Sequence, residues 1–465
     1  MRAYPKSPDF DTLRTQSTDF SDRLKQEDED MSVIKIGCGA SKITPDLGVL
    51  MAGYFEERKA TAVHDDLYAK AMIFDDGAVS AGLLCCDLIC IHKDEVARIR
   101  EIISKETGVR GENVLVCATH THTGPQTRSF RIGEDAESTL RWLEGFPERA
   151  AQAVVEAISN LEPCEISGGI SLEDRIAFNR RYRMKDGTVQ TNPGHKNPGI
   201  VEPAGPIDPE VGVISFTRRD GRIKALFVNY TCHLDNVGGT EISADYPGYL
   251  AARLQERSEG KPFVLYTNGA CGDINHVDVR SPYRRKGHEH SRWMGETLAG
   301  DVCEALKDMT PLSNENIRTA SRTIQLPMRE DANMGKIPHT PGRREIGKAE
   351  IQAIKIGDIG FVGVPAEYFV ELQLDIKRRS PFKRTFVSEL ANGWVGYVPT
   401  KKAFEENMKD VPSEPMKSFD HKGYEVRSAL SRGFLPGIGE LIADTAVELL
   451  EDCFHDGEQA DVPVR

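Results

Sequence analysis

Val114-Leu-Val-Cys-Ala-Thr-His120-Thr-His122-Thr-Gly-Pro125 is the stretch on which the reading of this chain turns. A short apolar run, the kind that makes a buried strand, delivers two histidines two positions apart, and Gly124-Pro125 then turns the chain away. In extended backbone, positions i and i+2 project from one face, so the two imidazoles can converge on one point. Taken alone, the pair also reads as two surface or core histidines.

Three other segments share this layout. Phe227-Val-Asn-Tyr-Thr-Cys-His233 ends an apolar strand in a histidine. Gly360-Phe-Val-Gly-Val-Pro365-Ala-Glu367 delivers a carboxylate into what reads as the first turn of a helix, where an acid facing the helix dipole is the plain alternative. Asn392-Gly-Trp-Val-Gly-Tyr397 presents a tyrosine that could equally be a core aromatic. In each case a polar residue follows the end of a buried strand, the rim where ligands bind in α/β sheets. Two imidazoles and a carboxylate suit zinc and leave room for a water. Zinc lowers that water's pKa towards ~7 and polarises a carbonyl, so hydrolysis is the natural chemistry.

The rest of the chain supports an α/β class: a mixed β-sheet core flanked by helices, with the metal site at strand ends. Strands are expected at 81–91, 113–118, 211–216, 223–230, 263–267, 359–364 and 384–390, and helices at 93–107, 138–159, 246–258, 290–308, 366–379 and 437–453. Asp245, before Tyr246-Pro247, reads as a helix N-cap, and Pro365 is expected to open another helix. The stretches 192–209 and 401–422 read as long loops. No internal repeat is evident. Residues 1–30 are acidic, polar and aperiodic and read as a disordered leader, with Met31 as the expected start of the folded unit, a single large catalytic domain over 31–465.

Composition narrows the function. The chain has 465 residues, 39% hydrophobic and 28% charged, enough to bury a core without disulfides. A net charge of −13 argues against nucleic-acid partners and anionic membranes. No apolar run approaches the ~20 residues of a transmembrane segment, and no secretory signal is evident, so the expected location is cytoplasmic. The ten cysteines sit mostly in apolar runs without a CxxC pair, as small buried hydrophobes do.

Several blocks, in order, resemble the neutral/alkaline, non-lysosomal ceramidase family. They are Gly37-Cys-Gly-Ala-Ser-Lys-Ile-Thr-Pro45, His64-Asp-Asp-Leu-Tyr-Ala-Lys-Ala71, Thr119-His-Thr-His-Thr-Gly-Pro125, Gly205-Pro-Ile-Asp-Pro-Glu210, Asp245-Tyr-Pro-Gly-Tyr249, Asn268-Gly-Ala-Cys-Gly-Asp-Ile-Asn275 and Gly423-Tyr-Glu-Val-Arg427. The resemblance implies zinc held by His120, His233, Glu367 and Tyr397. It gives His122 a role at the substrate carbonyl or in proton transfer, and Arg180 (or its neighbour Arg181) and Tyr424 a role at the oxyanion. Asp87 and Asp273 are candidates to orient the histidines, and His64 to support a second metal.

Three departures bear on the substrate. Family members carry a further β-rich domain, which is expected to be missing here, and are typically secreted or membrane-facing. The segment between Tyr397 and Tyr424 is highly charged, which suits a small polar substrate better than two lipid chains. Asn275 stands where the family often has serine. The expected activity is zinc-dependent hydrolysis of an N-acyl bond in a small molecule. A zinc esterase or lactonase and a non-catalytic metal-binding protein are the alternatives; homo-oligomerisation is left open.

Overall fold

The structure, a computed structural model, describes residues 34–127, 136–329, 347–407 and 422–455. The leader expected at 1–30 lies outside the described residues, as does 408–421 of the charged stretch. Within them the chain is α/β: three sheets of four or five strands, each mixed, each flanked by helices.

The three sheets share one design. In the first, Val114–Ala118 runs parallel to Ser80–Cys86, followed by antiparallel Tyr68–Asp75 and Lys35–Lys42. In the second, Phe263–Asn268 is parallel to Ile223–Tyr230, which pairs antiparallel with Glu210–Thr217. In the third, Arg384–Ser388 is parallel to Ile359–Gly363, which pairs antiparallel with Lys348–Ile356. Each parallel pair is joined by a helix: Lys93–Thr107, Tyr246–Arg257 and Val370–Arg379 respectively. This threefold recurrence of one unit was not legible as a sequence repeat.

Alternation along the strands explains how the sheets assemble. Phe74, Leu83 and Leu115 of the first sheet, Phe216, Phe227 and Leu265 of the second, and Ile354, Phe361 and Phe386 of the third form one buried cluster. The opposite face of the first sheet buries Ile73, Leu84 and Val116 under its helices. Phe227 meets Phe361 and Phe386 at centroid distances of 5.1 and 5.0 Å, contacts worth ~1 kcal/mol each beyond burial. The two glycines of Gly37-Cys-Gly39 let a helix lie directly on the first sheet: an added Cβ would fall 1.9 Å from the Ala157 carbonyl oxygen at Gly37 and 2.1 Å from that of Ala153 at Gly39. With three sheets back to back, the C-terminal ends of their parallel strands open onto one shared rim.

Several boundaries differ from expectation. The helix expected over 138–159 is two helices, Glu137–Glu144 and Phe146–Ser159, because Gly145 and Pro147 cannot sustain one ladder there. The expected loop 192–209 contains strand Ile200–Pro203, paired with Arg181–Met184. The charged stretch begins as helix Lys401–Asn407, which buries Ala403 and Phe404. Pro365 does not open a helix. The helix starts at Val370, and Glu367–Tyr368 is a two-residue strand parallel to Tyr397–Val398. All ten cysteines are free and buried. No helix among the described residues is long and apolar enough to cross a membrane.

Candidate metal centre

Each sheet contributes donors at the shared rim. The first gives His120 and His122 just beyond Ala118, the second gives His233 three residues after Tyr230, and the third gives Glu367 and Tyr397. The last two are register partners in the small parallel ladder, which fixes a carboxylate beside a phenol.

His120 and His122 do converge, although not through extended backbone. The strand stops at Ala118, and His120 takes φ +78°, a left-handed conformation that costs a β-carbon residue about 1 kcal/mol or more. That kink is held by His120 N–H donating to Leu88 O at 2.9 Å and His122 N–H donating to Leu234 O at 3.0 Å. The second bond also lays the 120–122 segment along the chain leaving His233.

The resulting cluster is tight. His120 Nε2 lies 3.1 Å from His233 Nε2 and 3.3 Å from His122 Nε2. Glu367 Oε2 lies 3.6 Å from His120 Nε2 and 3.8 Å from His233 Nε2. His120 Nδ1 faces the Ile89 carbonyl at 2.8 Å, and His233 Nδ1 faces the Cys271 carbonyl at 2.8 Å. A carbonyl only accepts, so each Nδ1 carries the proton and each Nε2 presents a lone pair. Two such lone pairs 3.1 Å apart repel unless a cation stands between them. This donor set therefore fits a metal ion, and His120, His122 and His233 form a candidate metal-binding group.

Electrostatics agree. Burial lowers the pKa of all three imidazoles, to about 3 for His122, so all three are neutral at neutral pH. Burial and the Glu367 carboxylate push the Tyr397 phenol well up, so the free site holds it protonated. Burial opposes ionisation of Asp235, but its hydrogen bond with His276 at 3.0 Å and the nearby imidazoles keep it well below the ordinary carboxylate range.

Arg180 stands between strands Phe178–Asn179 and Arg181–Met184. Its Nη1 reaches His233 Nε2 at 3.3 Å, its Nη2 donates to Tyr397 Oη at 3.2 Å and Gly272 O at 2.7 Å, and its Nε donates to Glu425 Oε1 at 2.7 Å. Arg181 points elsewhere, to Asn407 Oδ1 at 3.1 Å, so of the two arginines it is Arg180 that reaches the histidine cluster. Tyr424 opens the helix Tyr424–Ser431 and sets its ring edge-on to Tyr397, centroids 5.3 Å apart. All seven residues expected from sequence thus meet at one rim.

No family model matches the sequence. The neutral ceramidase of Pseudomonas aeruginosa is 29% identical over 236 residues, a match covering 47% of this chain and 33% of that protein. The matched region thus spans about a third of the curated relative's length. The crystal structure of neutral ceramidase from Pseudomonas aeruginosa superposes over 94% of this chain and 77% of that one, with a TM-score of 0.69 at 18% identity. The chain is related to the neutral ceramidases and carries their fold. A ceramidase complexed with C2 superposes similarly, with a TM-score of 0.68 at 17% identity over 93% of this chain and 77% of that one.

Within this neutral-ceramidase fold, several supporting residues went unassigned in the sequence. Trp394 Nε1 donates to Glu367 Oε1 at 3.1 Å, leaving Oε2 toward the histidines. Glu389, fully buried, accepts from Cys271 N–H at 3.0 Å and Tyr368 N–H at 3.2 Å, joining the segments behind His233 and Glu367. Glu425 neutralises Arg180 and accepts from Thr191 Oγ1 at 2.7 Å. Trp394 and Glu425 lie inside motifs already singled out, next to the residues that drew attention. Asp87 and Asp273 do not orient the histidines. Asp87 accepts from Tyr68 N–H at 2.9 Å, and Asp273 from Val370 N–H at 3.0 Å and Asn179 Nδ2 at 2.8 Å. Backbone carbonyls take the orienting role instead.

Two expectations arise here. Trp394→Phe should weaken metal binding about tenfold, as loss of a hydrogen bond to a ligand typically does; competition with a chromogenic chelator measures it, with unchanged affinity as the contrary result. The second concerns pH. The unfolded chain protonates His122 below its ordinary value of 6.5, whereas the folded chain resists to about 3. The unfolded state then binds more protons, so this contribution is present above pH 6.5 and is lost as pH falls toward 3. Metal-free wild type should therefore lose ~1–2 kcal/mol more than His122→Gln between pH 7 and pH 5 in urea melts.

Proposed function

We propose that this chain is a zinc-dependent amidohydrolase that cleaves an N-acyl bond in a small molecule. The supporting observation is the convergence of His120 and His233, each with its Nδ1 committed to a carbonyl, on a point shared with Glu367. Tyr397, beside Glu367, completes the set. Four nitrogen or oxygen donors suit zinc, with a fifth, replaceable position for water. Bound there, zinc would supply Lewis acidity and a nucleophile at neutral pH.

The remaining residues divide the other tasks. Arg180 offers a buried, permanently charged guanidinium where a tetrahedral oxyanion would form, and Tyr424 brings a phenol to the same side. His122 differs from the other two histidines. Its Nδ1 has no hydrogen-bond partner among the described residues, so its ring is not locked in one tautomer. We assign it to the proton rather than the metal: neutral at rest, it would take a proton from the attacking water and hand that same proton to the leaving amine. Arg58 grips the His122 carbonyl at 2.8 Å and keeps the backbone fixed while the ring works.

The mouth is mixed in character. Tyr54 and Phe55, 39% and 40% exposed, stand against His122 and Tyr424. Glu406 lies close by, paired with Arg183 at 2.7 Å. Aromatic carbon suits an acyl group, and the charged helix suits a polar amine. The test is a panel of N-acyl amines of graded chain length, with matching esters and lactones, assayed with and without chelator. Amide hydrolysis abolished by chelation and restored by zinc is expected. Chelator-insensitive turnover would refute the metal chemistry, and turnover of esters or lactones alone would replace the amidase reading.

A further inference from the structure

Outside the proposed centre, His64 does not build a second metal site with His288. Their rings stack with centroids 3.6 Å apart and planes 10° from parallel, so their in-plane lone pairs run side by side rather than toward one ion. The feature that calls for a ligand is a cavity of about 260 Å³ beside the short ladder that precedes Arg180. That ladder pairs Phe178–Asn179 antiparallel with Ile274–Asn275, and Phe178 and His276 both line the cavity. His276 Nδ1 lies 3.0 Å from Asp235 Oδ1, and Gly287 N–H donates to Asn236 O at 2.7 Å. The cavity therefore backs onto the chain leaving His233, yet none of the seven residues of the proposed centre lines it.

Its charge is opposite to that of the chain. The protein carries a net −13, but Arg284, Arg285 and Lys286 line the cavity in succession. Among the described residues no carboxylate pairs with Arg284 or Lys286. The lining carboxylate, Asp278, is taken by Arg280 at 2.9 Å, and the further lining cation, Arg175, is taken by Glu173. Arg285 lies over the Trp293 ring at 5.5 Å, and Trp293 stacks on His290 at 5.4 Å, which pre-positions that guanidinium. His290 and Trp293 belong to the first turns of helix His288–Ala305, the helix end that favours negative charge.

A guanidinium fork and an ammonium together match the oxygens of a phosphate group. Phe178 and Tyr283 add aromatic carbon, Tyr283 being half exposed. The volume lies just below the ~300–1,000 Å³ of ordinary small-molecule sites, so the occupant is a small organic molecule rather than a bare ion. We infer that this cavity binds a small organic phosphate, its oxygens held by Arg284 and Lys286 and its carbon set against Tyr283 and Phe178. The inference does not rest on the proposed amide chemistry and needs no metal. An occupant would tie residues 283–286 to the ladder that precedes Arg180.

Titration calorimetry on the full chain, stripped of metal, tests this with phenyl phosphate, inorganic phosphate, benzoate and phenol. Phenyl phosphate should bind at one equivalent, inorganic phosphate and benzoate more weakly, and phenol not at all. Zinc-loaded protein should bind phenyl phosphate equally well at this site. Arg284→Ser/Lys286→Ser should weaken binding about tenfold or more, as loss of charge-assisted hydrogen bonds does. Both side chains are exposed, so the variant should keep the melting temperature and zinc uptake of the wild type. Unchanged affinity in the double variant overturns the site. Binding seen only in zinc-loaded protein also overturns it, by placing the phosphate on the metal. Equal affinity for inorganic phosphate, or tighter binding of benzoate, overturns the assignment to an organic phosphate.

Discussion

His120→Ala is expected to cut hydrolysis about a thousandfold or more and to remove the tightly held zinc equivalent. The ring contributes a donor 3.1 Å from His233 Nε2 and 3.6 Å from Glu367 Oε2. Without it, His233 and Glu367 hold an ion from one side only. A Lewis-acid metal contributes several kcal/mol to such a transition state, and each 1.36 kcal/mol is tenfold in rate. Metal content and turnover should fall together, while far-ultraviolet circular dichroism stays that of the wild type. Full zinc content with full activity would remove His120 from the mechanism.

The second large effect falls on stability as well as catalysis. Arg180→Met is expected to destabilise the protein by ~3–5 kcal/mol, because it removes the closest charge partner of the Glu425 carboxylate in a site with no solvent access and leaves it only Arg181 Nε at 4.0 Å. It also leaves the Gly272 carbonyl without its 2.7 Å donor. The double variant Arg180→Met/Glu425→Leu should recover much of that stability, since the uncompensated carboxylate is gone and Arg181 keeps Glu406 at 3.6 Å. Activity should not recover, because the guanidinium beside Tyr397 is still absent. Urea melts and turnover of both variants check the account. Recovered activity in the double variant would make Arg180 structural only.

How much of this was legible in the sequence depends on the range of the interaction. The strand endings were readable because an apolar run that stops at a polar residue is a local signal. Lys93–Thr107 and Ile223–Tyr230 matched in full for the same reason. His120, His122, His233, Glu367 and Tyr397 were legible too, as polar positions just past buried strands, whereas Arg180 and Tyr424 came only from the family resemblance. Their convergence was not readable from spacing, because it depends on three sheets packing around Phe227, Phe361 and Phe386. The family resemblance supplied it.

Where local reading failed, a non-local contact had overridden it. Glu367 looked like a helix-opening acid, but its backbone is claimed by the ladder with Tyr397. The HxH pair suggested extended backbone, but hydrogen bonds to Leu88 and Leu234 impose a left-handed turn. Asp87 and Asp273 had the right composition for orienting histidines, yet the nearer carbonyls of Ile89 and Cys271 take that position. Trp394 and Glu425 carry no chemical signature of their own, because their role is set entirely by which neighbour they touch.

The measurement that bears most directly on the central claim is zinc K-edge X-ray absorption on protein loaded with one equivalent, in wild type and His120→Ala. The account predicts a first shell of nitrogen and oxygen only, near 2.0–2.1 Å, with the outer scattering of imidazole rings that diminishes in the variant. A sulfur shell near 2.3 Å, or a spectrum indifferent to the loss of His120, would contradict it.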